Sequence, residues 1–103
     1  MKLSLPEVLY ALSDPLRLRI VRQLADEGDT SCGTFDIRMP KSSLSHHFKV
    51  LRDAGVVLTR SEGVRRINTL NREALDAAFP GLLDAILAAP AVKKPRARRA
   101  AAR

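Results

Sequence analysis

Residues 41–57, "KSSLSHHFKVLRDAGVV", decide the fold of this 103-residue chain. Leu44, Phe48 and Leu51 recur at intervals of four and three residues, which predicts an amphipathic helix. The helix is expected to begin at residue 42 or 43 and to end near residue 54, because Gly55 stands where glycine commonly terminates a helix. The same stretch holds both histidines of the chain, which raises the question of a metal or catalytic site.

The two faces of this helix differ in character. At about 100° per residue, the apolar side chains and His47 share one side, which is expected to pack on the body of the domain. The opposite face is polar and largely basic and carries Ser45, His46, Lys49 and Arg52. Lys41, Ser42 and Ser43 lie at the helix N-terminus, where outward-pointing backbone N–H groups favour phosphate.

Helical geometry separates the two histidines. Adjacent helical residues project about 100° apart, so His46 and His47 do not converge on one metal ion, and a helical zinc pair needs a spacing of four residues. No glycine-rich phosphate loop, carboxylate pair or nucleophile elbow accompanies them, so we predict no catalytic residue, metal site, cofactor or enzymatic activity. His47 is expected to be a half-buried ring hydrogen-bonded to the backbone. His46 is either an exposed donor facing a partner or a plain solvated histidine.

A β-hairpin is predicted directly after the helix. "VVLTR" at residues 56–60 and "RRINTL" at residues 65–70 have strand composition, and Glu62-Gly63 between them has the composition of a two-residue turn. The resulting cross-strand pairs are Leu58 with Ile67, Val56 with Thr69, and Arg60 with Arg65. Like charges directly opposite each other are destabilising, so an anion between the two arginines would be favourable. The alternative is that both arginines extend into water.

Two helices are predicted before this segment. Ser4 and Glu7 have the spacing of a capping box, and the apolar pattern after them favours a helix over residues 5–12. Asp14-Pro15 marks the start of a second helix, with the aspartate as N-cap and the proline in the first turn. We therefore expect a short helix followed closely by a longer one.

The remaining elements are less regular. Residues 28–40 are interrupted by glycine and proline and are expected to hold at most one short helical turn. After the hairpin, Asn71 can cap a helix over residues 72–79, and a Pro-Gly pair separates it from a last helical piece at residues 82–89. The order predicts a mainly α fold with a β-hairpin, the winged helix-turn-helix architecture. We assign the domain to residues 1–90 and a basic tail, disordered in isolation, to residues 91–103.

The net charge of +7 is concentrated at the end of the chain. Residues 93–103 contain six lysines and arginines and no acid, so residues 1–92 carry only +1. Such a tail suits a polyanion such as nucleic acid, or simply aids solubility. The single cysteine, the absence of an apolar run of about 20 residues and the absence of a signal-peptide pattern predict a cytoplasmic protein.

Three segments together resemble the ArsR/SmtB family of bacterial winged-helix repressors, over roughly residues 5–88. They are "ALSDPLRLRIVRQL", "KSSLSHHFKVLRDAGVV" and the hairpin "EGVRRINTLN". The resemblance implies a transcription regulator that binds double-stranded DNA as a homodimer, at an operator of two-fold symmetry, and is released by an inducer. It assigns to the DNA-facing positions of the recognition helix Lys41, Ser42, Ser43, Ser45, His46 and Lys49. It assigns to the wing Arg60, Arg65 and Arg66, while Arg52 is expected to add a phosphate contact.

Apolar residues of the first and last helices are the expected dimer interface, because they would otherwise form an exposed patch. They are Leu5, Val8, Leu9, Leu82, Leu83, Ile86 and Leu87. The alternative is that they close the core of the monomer. The cysteine pairs and histidine ligands of sensory family members are missing here, and Cys32 is most simply a small buried hydrophobe. The alternative is that Cys32 pairs with, or binds a soft metal together with, its symmetry mate across the dimer. The sequence therefore does not identify an inducer. The competing function is a winged-helix module that binds a protein partner without specific DNA binding.

Overall fold

The computed structural model of the chain describes residues 2–31 and 40–90. These residues form five helices and a β-hairpin with one additional short strand, the architecture of a winged helix-turn-helix domain. The helices are α1 (Leu5–Ala11), α2 (Pro15–Glu27), α3 (Lys41–Asp53), α4 (Arg72–Ala78) and α5 (Leu82–Ala88). The strands are β1 (Thr30–Ser31), β2 (Val57–Glu62) and β3 (Arg65–Leu70). The helical turn expected between residues 28 and 40, Cys32 and the tail at residues 91–103 lie outside the described residues.

The first two helices test the predicted caps. Asp14 caps α2 as expected, because its Oδ2 accepts hydrogen bonds from the backbone N–H groups of Leu16 at 2.9 Å and Arg17 at 3.1 Å. Ser4 occupies the N-cap position of α1, but its side chain makes no capping hydrogen bond. The predicted capping box is therefore wrong. Pro6, in the first turn, has no N–H to donate, which leaves a serine cap with fewer donors.

The hairpin turn lies one residue further along the chain than the sequence suggested. Glu62 pairs with Arg65 at the end of the ladder, so the two-residue turn is Gly63-Val64, and Gly63 has a φ of 63°. A tight hairpin turn requires positive φ at its first position, which glycine adopts without strain. The opposite charges of Glu62 and Arg65 also favour this pairing.

Moving the turn by one residue moves every cross-strand partner by two. Leu58 lies opposite Thr69 and Arg60 lies opposite Ile67. Three predicted pairs are therefore wrong: Leu58 with Ile67, Val56 with Thr69, and Arg60 with Arg65. Because the two arginines do not face each other, the anion expected between them loses its basis.

Strand β1 was not predicted, and it extends the hairpin into a sheet of order β1-β3-β2. Thr30 of β1 lies opposite Asn68 of the central strand. The side chain of Asn68 is fully buried. Its Nδ2 donates to the Thr30 carbonyl at 3.4 Å, and its Oδ1 accepts from Thr59 Oγ1 at 2.8 Å. An unpaired buried amide is costly, so bonds to both outer strands favour this strand order.

The described residues share an apolar core to which every helix contributes. Phe48 and Leu51 anchor α3 in it, and Ile20 is a central residue of α2. Val8 and Leu83, expected at a dimer interface, are 0% and 2% exposed and lie in this core. They have no surface left to bury against a second chain, so that part of the interface prediction is wrong.

Candidate nucleic-acid interface

Helix α3 separates a buried face from an exposed face, as predicted. Phe48 and Leu51 are buried, whereas Leu44 and His47 are partly buried. The exposed residues are Lys41, Ser42, Ser45, His46, Lys49 and Asp53, and the partly buried polar residues are Ser43 and Arg52. The helix begins at residue 41, slightly earlier than predicted. The polar face is therefore open to solvent while the apolar face holds the helix on the body.

Lys49 is engaged within its own helix. Its Nζ lies 2.7 Å from Asp53 Oδ2, and both side chains are largely exposed. Exposed ion pairs four residues apart on a helix contribute only about 0.3–0.5 kcal/mol. Lys49 can therefore exchange the carboxylate for a phosphate at small cost.

The two histidines have different surroundings. His46 is exposed, whereas the side chain of His47 is mostly buried and lies against α2. The Nδ1 atom of His47 is 3.2 Å from Nη1 of Arg17 and 3.9 Å from Oδ2 of Asp14. The hydrogen-bond partner of His47 is thus a side chain rather than the predicted backbone group. The direction of the ring was predicted correctly and its partner was not.

The wing arginines differ in their partners. Arg60 lies within 2.9 Å of Asp29 Oδ2 and 3.0 Å of Glu62 Oε2, and it donates to Thr69 Oγ1 at 3.3 Å. Two carboxylates therefore offset its charge. The other two wing arginines, at positions 65 and 66, are exposed on β3 beside the turn. The positive potential of the wing thus comes mainly from β3.

Arg60, Asp29, Glu62 and Thr69 form one hydrogen-bonded cluster, and these contacts shift the pKa values of two of its members. The hydrogen bond from Thr69 and then that from Arg60 hold the pKa of the Asp29 carboxyl below its ordinary value. The hydrogen bonds to Glu62 and then to Asp29 raise the pKa of the Arg60 guanidinium. The cluster fastens the segment after α2 to the base of the wing.

Two arginines of α2 cap the ends of α1 and α5, a role that was not predicted from the sequence. Nε of Arg17 donates to the Ala11 carbonyl at 2.7 Å and Nη2 to the Tyr10 carbonyl at 3.2 Å, at the end of α1. Arg22 donates to the carbonyls of residues 86, 87 and 89 at the end of α5. Each guanidinium thereby places positive charge at the negative end of a helix dipole.

The burial of Arg17 has a signal in the sequence. It precedes Ile20, Val21 and Leu24 by three, four and seven residues, the spacing of a single helical face. All three apolar residues are buried, and Arg17 is 6% exposed. An arginine on the apolar stripe of a helix could therefore have been identified as a buried donor.

The apolar surface that α1 and α5 leave outside the core is smaller than predicted. Leu5 and Leu9 of α1 are exposed, and neighbouring Tyr10, which was not predicted, is 62% exposed. On the last helix, partial exposure remains at Leu82, Ile86 and Leu87. Five of the seven predicted interface residues thus retain surface that a second chain could cover.

Other kinds of site are not evident in the part of the chain that the structure describes. Within residues 2–31 and 40–90, no three histidine, cysteine, aspartate or glutamate side chains come together in a way that could hold a metal ion. Over the same residues, no helix has the length and apolar character needed to cross a membrane.

Residues 12–60 match the helix-turn-helix domain family. The chain is 34% identical over 83 residues to the uncharacterized HTH-type transcriptional regulator YceK of Bacillus subtilis (strain 168), covering 78% of this chain and 83% of that protein. It is 37% identical over 74 residues to the arsenical resistance operon repressor of Staphylococcus xylosus, covering 71% of each chain.

Solved structures agree with these sequence matches. A crystal structure of an ArsR family transcriptional regulator superposes with a TM-score of 0.63 at 25% identity, covering 79% of this chain and 90% of that one. The NMR structure of the cadmium metal-sensor CMTR from Mycobacterium tuberculosis gives a TM-score of 0.59 at 30% identity, covering 93% of this chain and all of that one. Sequence motifs, fold and relatives agree, and the chain belongs to the ArsR/SmtB family of winged helix-turn-helix, DNA-binding transcription regulators.

Proposed function

We propose that this regulator is a homodimeric repressor that binds a two-fold symmetric operator through α3 and the wing. The observation that carries the proposal is the division of α3. Its inner face is fixed by Phe48 and Leu51 in the core, while its polar face is open to solvent. A rigidly held helix with exposed donors suits the major groove, which admits one α-helix. The matched Staphylococcus xylosus protein is named a repressor, which supports repression rather than activation as the effect on transcription.

The donors of α3 divide by their chemistry. Ser45 and His46, together with Lys41 or Ser42, are proposed to reach base edges, since they lie on the exposed face or first turn. The residues proposed to meet phosphates are Ser43, Lys49, Arg52, Arg65 and Arg66. Phosphate contacts fix the orientation of the protein, whereas base contacts select the sequence.

Arg60 is expected to contribute less than the other wing arginines. It would have to exchange Asp29 or Glu62 for a phosphate, because both carboxylates lie within 3.0 Å of it. Its neutralisation to alanine or glutamine should therefore change the salt dependence of binding less than the same change at Arg65.

The dimer is proposed to form through the apolar residues of α1 and α5 that are exposed or partly exposed: Leu5, Leu9, Leu82, Ile86 and Leu87. Exposed apolar patches commonly mark interfaces. Two copies related by a two-fold axis would present their α3 helices to successive major grooves about 34 Å apart. We also propose release by a small-molecule inducer, which rests on family membership. A cytoplasmic location is proposed as well, and it rests on the single cysteine.

Binding titrations with operator DNA and with random DNA test the proposal. The operator is sought in the DNA upstream of the protein's own gene. His46→Ala should lower the preference for operator, since one lost base contact costs about 1–3 kcal/mol. Arg65→Ala should weaken binding to both DNAs about equally and reduce the slope of log K against log salt by about one for each phosphate lost.

The outcomes separate the hypotheses. An equal loss on both DNAs for His46→Ala would remove the base-reading role of His46. A wild-type protein that shifts neither DNA would instead favour the protein-interaction module.

A further inference from the structure

Arg17 joins three helices at one buried guanidinium. It belongs to the first turn of α2, is 6% exposed and donates to two carbonyls at the end of α1. Its Nη1 reaches His47 in the middle of α3 at 3.2 Å. The guanidinium carbon lies 5.2 Å from the centre of the Tyr10 ring, a cation–π distance that further fixes the side chain. The position of α3 is thereby linked directly to the end of α1.

The chemistry of this contact sets a condition on His47. A guanidinium has only donors, so a ring nitrogen that bonds to it must present a lone pair. Nδ1 of His47 can therefore accept from Arg17 only when it is unprotonated, in the neutral ring that carries its proton on Nε2. The other nearby charged group is Asp14, whose Oδ2 is 3.9 Å from the same Nδ1 and already accepts two backbone hydrogen bonds. Adding a proton at Nδ1 would set N–H against N–H and break the contact with Arg17.

The contact supplies what apolar packing lacks. Phe48 and Leu51 fix which face of α3 points into the core, but the hydrophobic effect behind this packing is itself non-directional. A hydrogen bond to a fixed guanidinium is directional. His46 directly precedes His47 in the chain and lies on the exposed face. A rotation of α3 at His47 would therefore also turn His46.

We propose that Arg17 is a positioning residue for DNA recognition: it sets the rotation of α3 through His47, and His47 serves this role only as the neutral Nε2–H tautomer. The inference rests on the proposed DNA-reading role of α3. It assigns to the "DPLR" segment at residues 14–17 a function beyond starting a helix. Arg17 thereby couples the end of α1, which borders the proposed dimer surface, to the rotation of the helix that reads DNA.

Two variants of equal shape isolate the acceptor. Asparagine and leucine have nearly the same outline, but only asparagine has an oxygen near the position of Nδ1. His47→Leu should bind operator about tenfold more weakly for each α3 that reads DNA, the effect of losing one hydrogen bond to a charged group. His47→Asn should remain within about twofold of wild type, and both variants should bind random DNA within about twofold of wild type. Thermal unfolding of both variants checks that they are folded.

Nitrogen NMR of wild-type His47 gives a second readout that does not depend on DNA. Near neutral pH, Nδ1 should show the shift of an unprotonated nitrogen and Nε2 that of a protonated one. The opposite tautomer or a doubly protonated ring would overturn the proposal, as would equal loss of operator binding in His47→Asn and His47→Leu. If wild-type protein fails to prefer any DNA, the proposed function fails and this role fails with it. If wild type prefers operator and both variants match it, only the positioning role fails.

Discussion

Arg22 offers a test of how the last helix is held for the proposed dimerisation. Its Nη1 donates to the Leu87 carbonyl at 2.9 Å, and its Nη2 donates to the carbonyls of Ile86 at 3.4 Å and of Ala89. Helix α5 has only seven residues, and its N-cap, Gly81, supplies no side-chain hydrogen bond. So short a helix is unstable alone, and the guanidinium holds its final turn in place.

The size of the effect follows from these contacts. Hydrogen bonds to a charged group contribute about 1.5–3 kcal/mol each when buried. The carbonyls here are only partly buried and can be hydrated in the variant, so we expect a net cost of about 1 kcal/mol for each α5 helix in Arg22→Met. These bonds lie within one chain, so their loss weakens the proposed dimer because α5 frays in the separated subunits of the variant and must be ordered again on association. With two such helices in a two-fold dimer the cost is about 2 kcal/mol, and the dimer dissociation constant rises about 30-fold.

Sedimentation equilibrium over a range of protein concentrations measures this constant. Arg66→Met removes the same charge from the exposed wing and serves as the matched control, with an expected change below about twofold. Arg22→Lys keeps the charge but offers fewer fixed donors, so it should fall between wild type and Arg22→Met. Equal dissociation constants for Arg22→Met and Arg66→Met would refute the link between the Arg22 cap and dimerisation.

Three further predictions concern the caps, the wing and the tail. Thr69→Val should move the Asp29 pKa up toward its ordinary value in an NMR titration, because the Thr69 hydrogen bond is the main cause of its depression. The depressed Asp29 pKa contributes stability at neutral pH, and that stability is lost as pH falls through the folded pKa. The free energy of unfolding of Thr69→Val should therefore fall less in acid than that of wild type, and an unchanged Asp29 titration would contradict this. Asp14→Ala should lower the free energy of unfolding in urea by about 1–2 kcal/mol and Ser4→Ala by less than about 0.5 kcal/mol, and equal losses would contradict the cap assignment. Deleting residues 93–103 should flatten the dependence of log K on log salt, and an unchanged slope would mean that the tail stays off the DNA.

Most patterns set by neighbours along the chain were predictable from the sequence, the Ser4 capping box excepted. The faces of α3 follow from the spacing of Leu44, Phe48 and Leu51, since helical periodicity determines which residues share a side. The Asp14 cap and the break at residues 80–81 are equally local. Each of these features depends on residues that are close together in the chain, so the local sequence is enough to predict it.

The turn position is a local feature that was still mispredicted, because Glu62-Gly63 and Gly63-Val64 both contain the glycine and the two resulting registers differ little in composition. Contacts between distant residues were not predictable in this way. Strand β1 is two residues long and forms only because β3 lies beside it. Residues of such short strands carry no periodicity that a sequence could reveal.

The proposed dimer surface shows the same limit. Apolar spacing identified α1 and α5 as amphipathic, but it did not separate residues that face the monomer's own core from those left exposed. Val8 and Leu83 proved to be core residues, while Leu5 and Leu9 remain on the surface. The division depends on how the helices pack in three dimensions, and that packing includes the Arg17 and Arg22 caps.

The central claim is that two copies of α3 read successive major grooves of one operator. Hydroxyl-radical footprinting of the wild-type protein on its own upstream DNA tests it most directly. We predict two protected patches of equal size, related by two-fold symmetry, with centres about one helical turn apart, close to 34 Å. A single unpaired patch, or uniform protection that shows no preference for sequence, would contradict the account.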